Sequence, residues 1–444
     1  MKQRLLWILV NVCRLVIAAA FIFSGMSKVI DPHGTEYKLH DYAEAFGMAE
    51  LMPSFLALIL AIALAVFELR IGFCTLFGIY RRFTSRAAVA FLAVFTPLTL
   101  YLALTNPISD CGCFGDAWVL TNWQTFFKNV VLMACSLVVM RWHELQTRLI
   151  SEARQWVVLI FAQLYALAIA IYALWFLPIY DFRPYRIGAN LPELMQASGE
   201  GEYVTSFLME KDGEQQWFTT DSYPDSTWTY VDDKTELVGD VVPPVIDNFQ
   251  MYTWPESDDI TDMVLSDPGY TFLLIAPILE NAEDGHMYAY NSVYEYAIKQ
   301  GYPFYCLTSS SDAGIVRWLE MTGAEYPFCR TDELTLKTMV RSNPGLILIK
   351  GGVVVNKWPY TDMPELDENS PRLEQSDYGQ IDQVSRGRQI LKIILWFILP
   401  LIVVTFLDRA WLWVKSLMKR NRNKNNNIVE QLNSKENEKE DCSR

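Results

Sequence analysis

The sequence predicts a multi-pass α-helical membrane protein that carries an α/β soluble domain. Three features point there: six apolar runs long enough to cross a bilayer, an acidic block between the fifth and sixth runs, and strands alternating with helices inside that block. The 444 residues are 51% apolar and 14% aromatic, yet the net charge is −14. Residues 180–388 hold about 35 acids and 14 bases, so the acid excess sits in one soluble segment and the rest is net positive. An acidic soluble segment argues against nucleic-acid binding, which needs a basic footprint.

Crossing about 30 Å of hydrocarbon takes about 20 predominantly apolar residues. The runs 5–27, 54–79, 87–105, 124–141, 155–178 and 389–408 qualify. The first is too long for a signal-peptide core, and Arg14 interrupts it, so it reads as a span. Basic residues set the direction. Lys2 and Arg4, then Arg81, Arg82 and Arg86, then Arg141, Arg148 and Arg154, then the tail "KRNRNKNNN" all fall on one face if six spans alternate. That face is expected to be the cytoplasmic side of a bacterial cytoplasmic (inner) membrane; Arg386 and Arg388 run against the rule. The connections 28–53 and 106–123 and the insert 180–388 are then extracytoplasmic, in the periplasm. The expected divisions are 1–145 (four spans), 155–178 (fifth span), 182–244 (β-rich), 245–365 (α/β), 389–408 (sixth span) and 419–444, a polar tail read as disordered and cytoplasmic.

Charges inside the spans are costly and usually pair or line a cavity. Arg14 falls in the first span, Glu68 and Arg70 in the second. At 1.5 Å per residue their depths agree within about one turn. Arg14 or Arg70 is therefore expected to pair with Glu68, either as a structural lock or in a proton- or quinone-linked role.

The eight cysteines include no CxxC, but "ISDCGCFGD" places Cys111 and Cys113 one glycine apart, facing an oxidising compartment. Fully extended, their Cα atoms are about 6.5–7 Å apart, and a disulfide wants about 4.4–6.8 Å. The chain must bend, and Gly112 permits it. So short a ring removes little unfolded-state entropy. A strained bond is labile, which suits exchange better than clamping. Three readings stay open: a redox-active dithiol, a structural clip, and a metal site completed by His33 and His40. Asp110 and Asp116 raise the thiol pKa unless a cation approaches; Lys28, on the same face, is the candidate. Cys13, Cys74 and Cys135 lie in spans and read as buried thiols.

Spans 1–4 resemble the DoxX/MauE group of four-helix membrane proteins, MauE being the methylamine-utilisation protein. The resemblance rests on "FIFSGMSKVIDP", on Glu68 in "AVFELRIG" and on "DCGCFGD", and covers about 1–145. It implies a four-helix bundle, here with two further transmembrane helices, and a role in forming or maintaining disulfides in exported proteins. It implies Cys111 and Cys113 as the redox pair and leaves Glu68 without an assigned role. Methylamine metabolism itself does not follow, since the added spans and soluble domain make a different architecture.

In the insert, 270–278, 303–311 and 325–333 read as strands and 287–300, 313–323 and 334–343 as helices, with a hairpin about Gly351-Gly352. This order resembles membrane-tethered thioredoxin-like domains over about 245–360. "IDNFQMYTW" stands for their added N-terminal hairpin, and Pro344 holds their cis-proline position. The departure lies after the first core strand, where "APILENAEDGHMYAY" has no cysteine. Ordinary thioredoxin chemistry needs a low-pKa thiol there, so binding or recognition is the expected use. Cys306 and Cys329 fall in strands expected to be neighbours and form a candidate second disulfide. Residues 182–244 read as β structure. No GxSxG, Walker loop or dinucleotide fingerprint occurs.

Two functions follow as expectations. In the first, Cys111 and Cys113 exchange with thiols of exported client proteins or a periplasmic redox partner, and electrons pass to a quinone held among spans 1–4. In the second, a non-catalytic scaffold in membrane lipid docks an envelope protein through the degenerate domain. The expected metal complement is none.

Overall fold

The computed structural model describes residues 2–441, apart from 109, 198–200, 212–213, 226, 240–242 and 382–385. The chain divides into two units, Met1–Asp181 with Val384–Arg444, and Phe182–Gln383.

The first unit is helical. In chain order it contains α1 (Lys2–Ile30), α2 (Pro32–Ala45), α3 (Ser54–Phe77), α4 (Arg81–Thr105), α5 (Asn122–Arg141) and α6 (Gln155–Trp175). Six helices of the described chain are long and apolar enough to cross a membrane: α1, α3, α4, α5, Glu152–Trp175, and Gly387–Asn423 in the last helix. Small residues let α1 and α3 meet at backbone distance. A Cβ on Gly25 would come within 2.7 Å of the Leu69 backbone N, and one on Gly72 within 2.8 Å of the Ile22 backbone N. Beneath this contact Cys13, Ile17 and Phe21 of α1 join Leu92 of α4 and Leu132 and Val139 of α5 in one buried cluster.

The segment after α1 is more than a loop. Asp31 caps α2 by accepting the Gly34 N–H at 3.1 Å, and Pro32 occupies the first turn, where its missing N–H costs nothing. Its low apolar content hides it from a search for spans.

The second unit opens with a short helix α7 (Leu191–Leu194) and an antiparallel sheet ordered β2-β1-β3, from β1 (Gly201–Lys211), β2 (Glu214–Thr219) and β3 (Thr229–Gly239). A six-stranded sheet follows. Its elements are β4 (Tyr252–Thr253), α8 (Thr261–Ser266), β5 (Tyr270–Ile275), α9 (Met287–Gln300), β6 (Phe304–Thr308), α10 (Asp312–Thr322), β7 (Phe328–Arg330), α11 (Glu333–Met339), β8 (Gly345–Lys350) and β9 (Val353–Pro359). The order is β4-β7-β6-β5-β8-β9, with β5, β6 and β7 parallel and β8 and β9 antiparallel. β5 is buried at every residue, as a central strand covered on both faces should be. The expected hairpin in 246–254 is not formed. Only Tyr252–Thr253 is strand, and it pairs with β7.

The last helix, α12, runs from Arg386 to Asp441. The expectation of a disordered tail over 419–444 is corrected as far as Asp441; residues 442–444 lie outside the described part. No proline or glycine follows Pro400 to break the helix, and the Glu and Lys of the tail hold helix well, although Asn, its commonest residue, does not. Asp408 ties α12 to the segment before α6. It accepts the Ser151 N–H at 2.8 Å and the Ser151 hydroxyl at 2.6 Å, and it pairs with Arg154 at 3.2 Å.

Candidate functional site

The CGC loop joins α4 to α5 and folds onto α1 and α2. Gly112 adopts φ +62°, the left-handed region glycine favours, and its N–H donates to Asp110 Oδ1 at 2.9 Å. This bend brings Cys111 Sγ and Cys113 Sγ, both free thiols, to 2.7 Å. Three neighbours fix the loop. Tyr42 of α2 donates its hydroxyl to the Cys111 carbonyl at 2.9 Å. Lys38 of α2 pairs with Asp110 at 2.9 Å. Lys28 of α1 donates to the Cys113 carbonyl at 2.6 Å.

Lys28 is also the partner of Glu68. The pair is 2.9 Å apart, with side chains 4% and 5% exposed. Lys28 further donates to Ser24 Oγ at 2.7 Å, which occupies its third N–H. Ser24 Oγ in turn lies 2.6 Å from Glu68 Oε2. The expected pairing of Glu68 with Arg14 or Arg70 is thus corrected, and the helix register gives the reason. With Gly25 against Ala65 and Leu69, and Gly72 against Phe21 and Ile22, Glu68 is level with the last turns of α1. Arg14 is carried to the other end of the bundle. There it donates to the Thr147 carbonyl at 2.6 Å and to Asn11 Oδ1 at 3.1 Å. Arg70 lines a separate crevice with Phe67 and Gln163 and has no carboxylate partner among the described residues.

Cys111, Cys113, Lys28 and Glu68 share the wall of a cavity of about 260 Å³, near the small end of ligand pockets (about 300–1,000 Å³). Phe21, Phe91, Phe95, Leu92 and Leu132 make its apolar side. Lys128 of α5 also lines it, its ammonium 4.2 Å from the centroid of Phe114.

These surroundings separate the two thiols. The hydrogen bond between the two sulfurs, with Lys128 and Lys28 nearby, outweighs burial and the charge of Glu68 and draws Cys113 down to about 7. The same hydrogen bond, together with burial, pushes Cys111 up. The flanking aspartates do not decide the matter, since Asp110 is already paired with Lys38. Burial and the nearby sulfurs raise Tyr42, which stays a donor.

Sequence reasoning missed Ser24, Lys38, Tyr42 and Lys128. Lys128 was findable, as a charge inside the run 124–141. Lys38 and Tyr42 depended on recognising α2. Among the described residues no group of three or more His, Cys, Asp and Glu is placed to hold a metal; His33 instead bonds Glu36 at 2.7 Å.

In the second unit the expected Cys306–Cys329 disulfide is not formed. The cysteines do lie on neighbouring strands, but Cys306 is level with Phe328 and Cys329 with Leu307. One residue of offset puts the two sulfurs on opposite faces of the sheet. Both are buried free thiols, and burial pushes Cys306 well up and Cys329 to about 12, so neither is a ready nucleophile. The Asn343–Pro344 peptide bond is cis. It lies beside the segment after β5, where Asn343 donates to the Ile278 carbonyl at 2.9 Å and accepts the Glu283 N–H at 3.0 Å.

Residues 203–239, within the small sheet, match a domain of unknown function, DUF8463. No curated protein and no solved structure matches the chain. Residues 6–142 match the family model of the methylamine utilisation protein MauE, and that stretch spans α1, α3, α4, α5 and the CGC loop. The site therefore lies in a MauE-like region of a multi-pass membrane protein.

Proposed function

We propose that the protein is a membrane thiol–disulfide oxidoreductase in which Cys111 and Cys113 form or maintain disulfides in exported proteins. The observation that carries this reading is the pair itself: two sulfurs 2.7 Å apart on the wall of an apolar cavity, beside a buried Lys–Glu pair. A clip would need neither the cavity nor the charges.

The balance is simple. Two client thiols give two electrons to the Cys111–Cys113 disulfide. A client disulfide forms, and the pair becomes a dithiol by taking up the two protons that the client thiols lose. The dithiol returns to the disulfide by giving two electrons and two protons to a quinone-class acceptor, which becomes a quinol. The aromatic cavity wall suits a flat ring, and Glu68 lines the same cavity as an acid–base group. The match to MauE supports a redox-maturation role in the membrane. The wider DoxX group, the inner membrane and the extracytoplasmic placement of the CGC loop and the second unit belong to the same proposal.

The second unit is proposed to be a thioredoxin-like domain that recognises clients or a redox partner. The parallel β7-β6-β5 group, the antiparallel β8 and β9, and cis-Pro344 ahead of β8 support this. The segment Ala276–Tyr290 has no cysteine, so its contribution is binding, which raises the effective client concentration.

The test uses the full-length protein in detergent, a reduced dithiol peptide and a short-chain benzoquinone, with quinone reduction followed optically. Turnover that is lost in Cys111→Ser and in Cys113→Ser supports the reading. Unchanged envelope function in both variants supports the scaffold alternative.

A further inference from the structure

Three lysines surround the CGC loop, and two are fully engaged. Lys28 spends all three N–H groups on Ser24, Glu68 and the Cys113 carbonyl. Lys38 is paired with Asp110. Lys128 is different. It stands within α5, lines the cavity, and has no carboxylate partner among the described residues; its contact is the face of Phe114. Lys128 is the seventh residue of a 20-residue span, a depth at which lipid still disfavours a charge. A ring face returns only part of that cost. The shortfall calls for negative charge in the cavity. Glu68 already has Lys28, which leaves the cysteine pair; Lys128 acts on both sulfurs, but it sits on the ring of Phe114, the residue next to Cys113, and Lys28, which holds the Cys113 carbonyl, adds its charge on that side.

We infer that Lys128 is the counter-cation of the Cys113 sulfur and thereby sets the order of exchange: a client thiol attacks Cys111, and Cys113 is the sulfur that leaves. This rests on the thiol–disulfide reading above and deepens it. In a disulfide under attack, the sulfur better able to carry negative charge leaves faster. The client thiolate forms a bond to Cys111 Sγ, the Cys111–Cys113 bond breaks, and the electron pair goes to Cys113, beside Lys128. The client's second thiolate then attacks the client sulfur of the mixed disulfide and releases Cys111, which takes up a proton. Lys128 is a positioning residue in this scheme. It acts on the charge of Cys113 and touches no client atom. Among the described residues, the other ionisable groups about the loop include Lys28 from α1, Glu68 from α3, Lys38, Asp41 and Tyr42 from α2, and Cys111, Asp110 and Asp116 of the loop itself.

Two experiments on the full chain test this. In the first, the reduced protein is alkylated with iodoacetamide between pH 5 and pH 9.5, and each cysteine is followed by peptide mass. The wild type is expected to label Cys113 before Cys111. In Lys128→Met the Cys113 rate at neutral pH is expected to fall about fivefold, with the midpoint about one pH unit higher, and Lys128→Arg is expected to restore it. A purely structural role for Lys128 would leave that midpoint in place, and an unchanged midpoint in Lys128→Met, or faster labelling of Cys111, overturns the inference. Lys128→Gln serves the same purpose if the methionine variant fails to fold. In the second, the peptide in its disulfide form is incubated with the reduced single-cysteine variants, so that a cysteine thiolate bonds one peptide sulfur and the other leaves as a thiolate, which is trapped by alkylation. An adduct on Cys111 in Cys113→Ser is expected, and an adduct confined to Cys113 in Cys111→Ser contradicts the order. If neither variant forms an adduct, the thiol–disulfide reading falls with the order, while the alkylation profile still decides whether Lys128 holds the charge of Cys113.

Discussion

Lys28 and Glu68 form a buried ion pair 2.9 Å apart, and the same ammonium donates to the backbone carbonyl of Cys113 at 2.6 Å. One side chain thus joins three chain segments: the end of α1, the middle of α3 and the CGC loop. The position of the sulfurs is thereby tied to the packing of α1 on α3, which Gly25 and Gly72 make possible.

Removing one partner of this pair leaves an uncompensated buried charge, which costs about 3–5 kcal/mol. Lys28→Met is expected to lower the thermal midpoint of the detergent-solubilised protein sharply. Lys28→Met with Glu68→Met should recover most of the loss in stability, but not the loop geometry. A double variant as unstable as the single one would show that the pair does more than neutralise itself.

Gly112→Ala tests the bend. Alanine at φ +62° costs about 1–2 kcal/mol, and its Cβ would lie 2.9 Å from Lys38 Cγ. At a fixed thiol–disulfide buffer, where the dithiol of the variant relaxes out of the bend and the disulfide does not, the bonded-to-free ratio of Cys111–Cys113 is expected to fall about five- to thirtyfold relative to the wild type. An unaltered equilibrium, read by mass shift, would mean that the sulfurs meet without this backbone conformation.

The Lys38–Asp110 pair gives a pH signature. Burial alone pulls the Lys38 ammonium down, but the hydrogen bond and charge of Asp110 more than offset it, and its pKa ends above the ordinary 10.5. A cation with a raised folded-state pKa contributes stability that is fully present below its unfolded pKa and lost as pH rises through the folded one. The stability gap between wild type and Asp110→Asn is therefore expected to be constant from neutral pH to about pH 10 and to close above it. A gap that closed on acidification between pH 7 and pH 5 would point to another group.

In the second unit, peptide mapping without reductant is expected to find no Cys306–Cys329 link, and both thiols should resist alkylation until the protein is denatured. Cys306→Ala with Cys329→Ala is expected to leave client oxidation unchanged. A linked peptide recovered from native membranes would contradict the register described here.

The sequence made the helices of the first unit legible because lipid demands long apolar runs, and the strand–helix order of the second because buried strands and amphipathic helices differ in period. The Cys111–Cys113 pair was visible as a motif. Its surroundings were not. α2 escaped because its helix is signalled by the Asp31 cap and Pro32, and not by an apolar stripe. The partner of Glu68 escaped because counting depth from helix ends assumes that the ends are level, whereas Gly25 and Gly72 set another register. The offset of Cys306 and Cys329 is a single residue, and strand order alone cannot supply it.

The account depends most on Cys111 and Cys113 making and breaking their bond during turnover. The direct measurement is differential thiol labelling on native membranes, quenched in acid before and during exposure to reduced client and again after added quinone, with the peptide carrying both cysteines followed by mass. The account predicts a bonded pair at rest, a dithiol with client present, and a return to the bonded form with quinone. A pair that keeps one state through all three conditions, while client disulfides still form, would contradict it.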